Sequence, residues 1–543
     1  MLFALAWQDH AVVIGYVALL AAMGWYFSRK QRSGEEYFLA SRRVPWFAVG
    51  LSIIATLLSS LTYLSEPGEV WQSGLTTLFA KVIAILIEMV IVLLVFIPFL
   101  MRFRFTSAYE YLGYRFGPRT RRLAVVLFVC LVVSWMGFVV LAMSRAVSQV
   151  TGLPQVFVIM TVGLIGTVYT MAGGLRAVIW KEVLQVILMI SGCLVCMSYV
   201  SWASGGTWLP DWVRETVRYR AEREGGSGLS LVSFDPFQRI SVFTFALLMF
   251  VWHVCTHLGN QMVVQRYFSC SDLRAARRSF ATAVAFGVII NSLLVFVGLS
   301  LVYFYRNGLG ELSLDPAVKK QADMIFPTFM VRELPPGLAG AVLTAVLAAA
   351  MSTIDSGINA ISTVLSAERD RPHGSDVGRP PRPGPDQVRF ARLVTLAAGT
   401  GITLSAYGLD VLTAERNIME MMPRSFNCFL VPLGAMFLLG VFVPRCGPRA
   451  AVIAAVVALA GAINIAYAKE LYGLAFEVSF TWVLPGALAL GLAAGLLVGF
   501  VDRARPAQTA GLTWFTRRQL PLIDHRLFAD WVIEDAKKRK LQG

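Results

Sequence analysis

Apolar runs of about twenty residues, each closed by charged or turn-forming positions, recur along nearly the whole chain. A run of that length crosses the hydrocarbon core of a bilayer as a helix. Thirteen are readable, at 11–28, 46–70, 75–100, 123–150, 155–173, 176–202, 239–264, 279–305, 337–366, 390–409, 418–443, 450–468 and 480–501. Two longer polar connections, 203–238 and 306–336, each have room for a short surface helix. The segment 367–389, with Arg379-Pro380-Pro381-Arg382-Pro383-Gly384-Pro385, reads as a flexible loop.

Two runs are interrupted at matching places. The second contains Ser59-Ser60-Leu61-Thr62-Tyr63-Leu64-Ser65-Glu66-Pro67-Gly68-Glu69, and the seventh contains Trp252-His253-Val254-Cys255-Thr256-His257-Leu258-Gly259-Asn260-Gln261. Each mixes polar residues with Gly or Pro, where the backbone can leave helical geometry. If the second run opens one five-helix unit (46–202) and the seventh opens another (239–443), the odd number inverts the second unit relative to the first. Broken helices at equivalent places of inverted repeats point to a transporter's central site, because freed backbone groups at mid-membrane are tolerable only where they line a cavity. Outside the repeats lie residues 1–45 (the first helix and a loop), the connection 203–238, two further helices in 444–501, and a basic tail, 502–543. That tail, with Trp514, Phe515, Trp531 and the run Lys537-Lys538-Arg539-Lys540, reads as an interfacial segment.

Composition agrees with an all-α polytopic membrane protein: 57% of the 543 residues are hydrophobic and only 15% are charged. The net charge of +15 would suggest nucleic acid in a soluble protein. Here position decides. The first run has no basic stretch before it, while Arg29, Lys30 and Arg32 follow it, which argues against a cleaved signal and places the N-terminus outside. With that orientation the loops 29–45, 101–122, 174–182, 266–278, 367–392 and 445–449 and the C-terminal tail are cytoplasmic. They hold most of the 48 Lys and Arg residues, so the charge orients the chain in a cell membrane. Cys193 and Cys196 form a C-x-x-C inside an apolar run with no second pair, which suits packing better than a four-ligand zinc site.

The ninth run carries the most specific chemistry. On a helix, Ser352, Asp355, Ser356, Asn359 and Ser362/Thr363 share one face. A stripe of oxygen ligands with one carboxylate is what a desolvated small cation needs. Close helix packing through small residues accounts for the hydroxyls but not for Asp355, which costs roughly 2.5–3.5 kcal/mol at mid-membrane on insertion scales.

Four motifs in order give the chain a close resemblance, over essentially its full length, to the sodium:solute symporter family. They are Glu35-Glu36-Tyr37-Phe38-Leu39-Ala40-Ser41-Arg42, the stretch from Gly173-Gly174-Leu175-Arg176 to Trp180-Lys181-Glu182-Val183-Leu184-Gln185, Asn260-Gln261 with Gln265-Arg266-Tyr267, and the Met351-Ser352-Thr353 segment. The resemblance implies the LeuT-type inverted-repeat fold and cation-coupled import. It implies a principal sodium site from the carbonyls of Ala55, Leu58 and Ala349 and the hydroxyls of Ser352 and Thr353. It also points to a second sodium position at Glu182, Ser352, Asp355 and Ser356. Against that second ion, the family's Thr-Asp is Lys181-Glu182 here, Asp355 stands where those members carry Ser, and Lys181 could neutralise Glu182 instead. By position Thr62, Lys81 and Asn260 fall where relatives contact solute. Lys81 replaces the Glu of sugar-binding relatives, so a cation there suggests an anionic solute, with Arg424 a second candidate for carboxylate capture. The alternatives are that Lys81 pairs with Glu66 or Glu69 and that Arg424 snorkels outward. His253 and His257, spaced i, i+4, could bind metal, but the sequence shows no further ligand, so solute hydrogen bonding or cavity lining suits them better.

The expectation is therefore a sodium-coupled symporter of a small organic solute, of the monocarboxylate or acidic-sugar type, working by alternating access. Its partners are sodium, the solute and the bilayer, not nucleic acid, and a monomer is compatible with it. A symporter of a neutral sugar or polyol stays open if Lys81 is structurally paired. A membrane solute sensor is a third reading, for which the residues after Phe500 are few to form a signalling domain. No nucleophile–base–orienter set points to an enzyme.

Overall fold

The computed structural model describes residues 6–28, 34–224, 237–312, 314–315, 319–369, 385–412, 418–473, 477–505, 509–517 and 528. The basic run 537–540, the proline-rich 379–384 and part of each long connection lie outside them. Among the described residues the regular structure is helical.

Every apolar run coincides with helix. Helix α1 is Trp7–Ser28; α2 (Trp46–Leu57) and α3 (Ser60–Ser73) are the two halves of the second run, bent by 65°. Then come α4 (Thr76–Ile91, continued by a π-helical turn to Leu100), α5 (Pro118–Thr151) and α6 (Gln155–Ala203). Inside α6, Gly174 adopts φ 58°, ψ −178°, a conformation open to glycine alone, and so divides it where the sequence divides two runs. The second half has α7 (Val242–Gly259), α8 (Gln261–Phe268), α9 (Leu273–Arg306), α10 (Leu338–Arg369), α11 (Pro385–Leu412) and α12 (Asn427–Phe442), followed by the hairpin α13 (Pro448–Ala466) and α14 (Val483–Gly499). The two long connections hold the helices Leu209–Glu224 and Lys319–Arg332.

Nine helices among the described residues are long and apolar enough to cross a membrane, or ten if the bent pair is one span. Thirteen runs give fewer qualifying helices partly because breaks shorten them: Gln155–Val168 and Asn427–Phe442 are apolar but under 18 residues.

The pairing of helices is reciprocal. The broken α2 packs on α9, the element after the break in the second half, while the broken α7 packs on α4, the element after the break in the first. The breaks also share a backbone conformation: Leu58 has φ −91°, ψ 97°, and Asn260 has φ −91°, ψ 114°. The α10 helix, buried along most of its length, lies against α5, α6 and α11. Asp9 anchors α1 to the start of α10, its Oδ1 accepting from the Gly337 and Gly340 amides at 2.7 and 2.6 Å. The tail also packs inward, for Trp514 N donates to Val441 O at 2.8 Å and Tyr111 Oη to Leu512 O at 2.9 Å. Residues 509–517 are thus held on the helix bundle.

Candidate functional site

At the α2–α3 break, extended Leu58 and Ser59 carry no helical hydrogen-bond ladder forward, which frees carbonyls on the face toward α10. Ser352 Oγ lies 2.8 Å from Ala55 O and 3.1 Å from Ala349 O. Thr353 Oγ1 lies 3.2 Å from Ala349 O and 3.5 Å from Leu58 O. All five residues are buried. Two hydroxyl protons serve three carbonyls here, so lone pairs outnumber donors. Such an oxygen cluster, with no formal charge of its own, can replace a small cation's hydration shell.

One turn further along α10 the chemistry changes. Glu182 accepts from Arg266 Nη2 at 2.7 and 3.0 Å, from Thr56 Oγ1 at 3.3 Å, and from the hydroxyls of Ser52 and Ser356. Asp355 accepts from Lys181 Nζ at 2.8 Å and Thr170 Oγ1 at 2.7 Å. Lys181 and Arg266 are as buried as their partners. Lys181 does not meet Glu182, because adjacent helical residues point about 100° apart; it turns to Asp355, and Arg266 from α8 takes Glu182. Both carboxylates expected at a second sodium position are thereby neutralised by protein cations. The sequence motif containing Arg266 was legible, but its charge partner was not. The motifs also meet elsewhere: Gln265 Nε2 donates to Phe38 O at 2.6 Å and to Thr363 Oγ1 at 2.9 Å.

Beside the oxygen cluster lies a cavity of about 140 Å³, which shares Leu58 with it. Its walls are largely apolar and aromatic, including Trp135, Phe245, Trp252, Phe280 and Phe480. Thr62, Lys81, His253 and His257 all line it. Lys81 Nζ is ion-paired with Glu66, whose other oxygen accepts from Thr77 at 2.9 Å, and it also donates to Asn291 Oδ1 at 3.2 Å. Glu66, which the sequence offered as a partner for Lys81, lines the cavity too, as does Glu88, which it did not single out. Glu88 is an acid in an apolar helix, which is the signal that could have marked it.

Two predicted solute residues sit elsewhere. Asn260 caps α8, its Oδ1 accepting from Met262 N at 3.0 Å, while its buried Nδ2 makes no hydrogen bond. Arg424 does not snorkel and does not line the cavity; it is buried in an ion pair with Glu477 and donates to Val478 O at 3.1 Å. At the end of the cavity near Phe480, Arg239 binds Glu69 through both Nη atoms, at 2.6 and 2.9 Å, and Glu420 at 2.7 Å.

Inverted repeats with paired broken helices, an oxygen cluster at one break and a cavity beside it define a secondary transporter of the LeuT-like class. The model of the sodium:solute symporter family matches residues 37–458, and the chain belongs to that family. A sodium/sialic acid symporter of Proteus mirabilis is 29% identical over 496 residues, covering 89% of this chain and 95% of that protein. The human sodium-coupled monocarboxylate transporter 1 is 27% identical over 477 residues, covering 86% and 74%. A solved Na+-coupled sialic acid symporter, substrate-bound and outward-open, matches with a TM-score of 0.77 at 25% identity, covering 92% of this chain and 99% of that one. The protein is accordingly a sodium-coupled solute symporter and not an enzyme.

Proposed function

We propose that this symporter imports a small organic anion of the carboxylate class, with one sodium held by Ala55, Leu58, Ala349, Ser352 and Thr353. The observation that carries the reading is the convergence of these five buried oxygens on the α2–α3 break. Sodium there ties α10 to the broken helix, and Leu58 makes the same segment a wall of the solute cavity. Ion binding and solute binding thus stabilise one arrangement of the two elements, which is what coupling requires.

The anionic preference rests on Lys81. Two of its three N–H groups go to Glu66 and Asn291, leaving the third for a solute carboxylate. Asn427, whose Oδ1 accepts from Trp252 Nε1 at 3.0 Å, lines the same space with its amide group. The relatives named for sialic acid and monocarboxylates support the class. The Glu66–Lys81 pair favours a second reading, a neutral polyol or sugar, since it balances the cation. Uptake into proteoliposomes under an imposed sodium gradient separates them. Carboxylates should accumulate, and their amides should not. Lys81→Gln should then lower apparent carboxylate affinity about ten- to a hundredfold, the value of a buried charge-assisted contact. Accumulation of neutral sugars with no carboxylate uptake would establish the second reading instead.

A further inference from the structure

Three metal-ligating side chains meet on the cavity wall, outside the oxygen cluster. His253 and His257 stand one turn apart on α7, their rings 6.0 Å apart and nearly parallel at 11°. From the facing helix α4, Glu88 reaches between them. Its Oε2 lies 2.9 Å from His253 Nδ1 and its Oε1 lies 2.9 Å from His257 Nε2. The sequence offered only the histidine pair; packing α7 on α4 supplies the third ligand. We infer that Glu88, His253 and His257 form a binding site for a divalent transition metal ion, of the zinc class, whose open coordination position faces the solute cavity.

The geometry fits such an ion in four respects. One ligand atom from each residue lies within 4.8 Å of the other two; around zinc, with bonds of about 2.0–2.2 Å, such atoms stand about 3.3 Å apart, so the two 2.9 Å contacts open slightly as the ion enters. His253 Nδ1 is buried and faces Glu88 Oε2 at 2.9 Å outside strict hydrogen-bond alignment. The far nitrogen of His257 is fixed: Nδ1 lies 2.6 Å from Tyr267 Oη, the kind of outer contact that sets the tautomer of a metal-binding histidine. Finally, all three ligand residues line the cavity. Two histidines and a carboxylate leave one tetrahedral position free, and here it opens to the space a solute would take. The bound ion would occupy part of that space, so it should compete with solute. The site makes no use of the sodium ligands and holds whether the solute is charged or neutral.

The test uses the full chain, purified without a polyhistidine tag, in sodium-free and solute-free buffer. Equilibrium dialysis against micromolar zinc should give one ion per chain, and Co2+ in its place should show the intense visible absorption of a tetrahedral site, quenched by zinc. His253→Gln and Glu88→Gln should each weaken zinc binding by more than about tenfold, the upper range for changing even an outer-shell partner being a hundredfold. In proteoliposomes, zinc should raise the apparent KM for whichever solute is transported, without changing the maximal rate. Absence of zinc binding by the wild type, or unchanged binding in both variants, would overturn the inference. If both variants misfold, the wild-type Co2+ spectrum decides, and a spectrum of octahedral weakness counts against the site. Each of these binding results is independent of sodium-driven uptake, so failure here leaves the symport reading standing.

Discussion

Buried charge is the most consequential feature at the scale of single residues. Glu182 and Arg266 are both fully enclosed, and an ion removed from such a pair leaves its partner uncompensated at a cost of about 3–5 kcal/mol. Glu182→Gln should therefore sharply lower thermal stability in detergent, and Glu182→Gln with Arg266→Met should recover much of it. Were Glu182 a sodium ligand and Arg266 a bystander, the single change would move sodium dependence with little effect on stability, and the double change would not rescue. Lys181 and Asp355 invite the same comparison. Their partnerships were not legible in the sequence, because adjacency of Lys181 and Glu182 suggests the one pairing that helix geometry forbids. Arg424 was misplaced for a related reason. A cation in an apolar run signals something buried or functional, but only the fold shows that Glu477 answers it.

At the scale of elements the sequence was far more informative. Runs of apolar residues located the long helices among the described residues, because bilayer thickness imposes that pattern locally. The clustered polar residues located the two breaks to within a turn, but Pro67 and Gly68 sit inside α3 and the first break falls ahead of them, at Leu58 and Ser59. Thr353 was marked only by the family resemblance, whereas Ser352 was legible from the pattern itself, as a hydroxyl on a helix face that had to meet something polar. Glu88 was not, since its role depends on which helix packs across from it. Close approach between elements adds a sharper test. A Cβ added at Gly68 in α3 would stand 2.3 Å from the Ala322 carbonyl oxygen, a backbone atom that cannot rotate aside. Gly68→Ala should cost about 1–3 kcal/mol through overpacking, read as a lowered Tm of the purified protein. An unchanged Tm would mean that α3 and the helix Lys319–Arg332 are not packed as described.

For the whole molecule, the arrangement of charge sets how much work the transporter can do. The Arg239–Glu69–Glu420 cluster adjoins the cavity beside Phe480, and the Arg266–Glu182 cluster lies beyond the oxygen site along α10. Each ties elements of the two repeats together, so a helix bundle that rocks to open either side of the cavity would have to break such ties in turn. With Glu182 and Asp355 already satisfied by Arg266 and Lys181, one sodium per solute is expected. Each translocated charge contributes about 2.3 kcal/mol per 100 mV, so the ratio is measurable from reversal potentials in proteoliposomes. A ratio of one agrees with the ion-pair assignment. A ratio of two, lowered by Asp355→Ala, would return these carboxylates to a second sodium site.

Sodium dependence of uptake in Ser352→Ala and Thr353→Ala bears most directly on the central claim, that the five oxygens at the α2–α3 break hold the coupling ion. Each substitution removes one neutral ligand from a buried cluster while leaving the three carbonyls in place. A contact to a charged group is worth about 1.5–3 kcal/mol, so the sodium concentration for half-maximal uptake should rise about tenfold or more in each variant. An unchanged sodium dependence in both, with the proteins folded and transporting, would contradict the account.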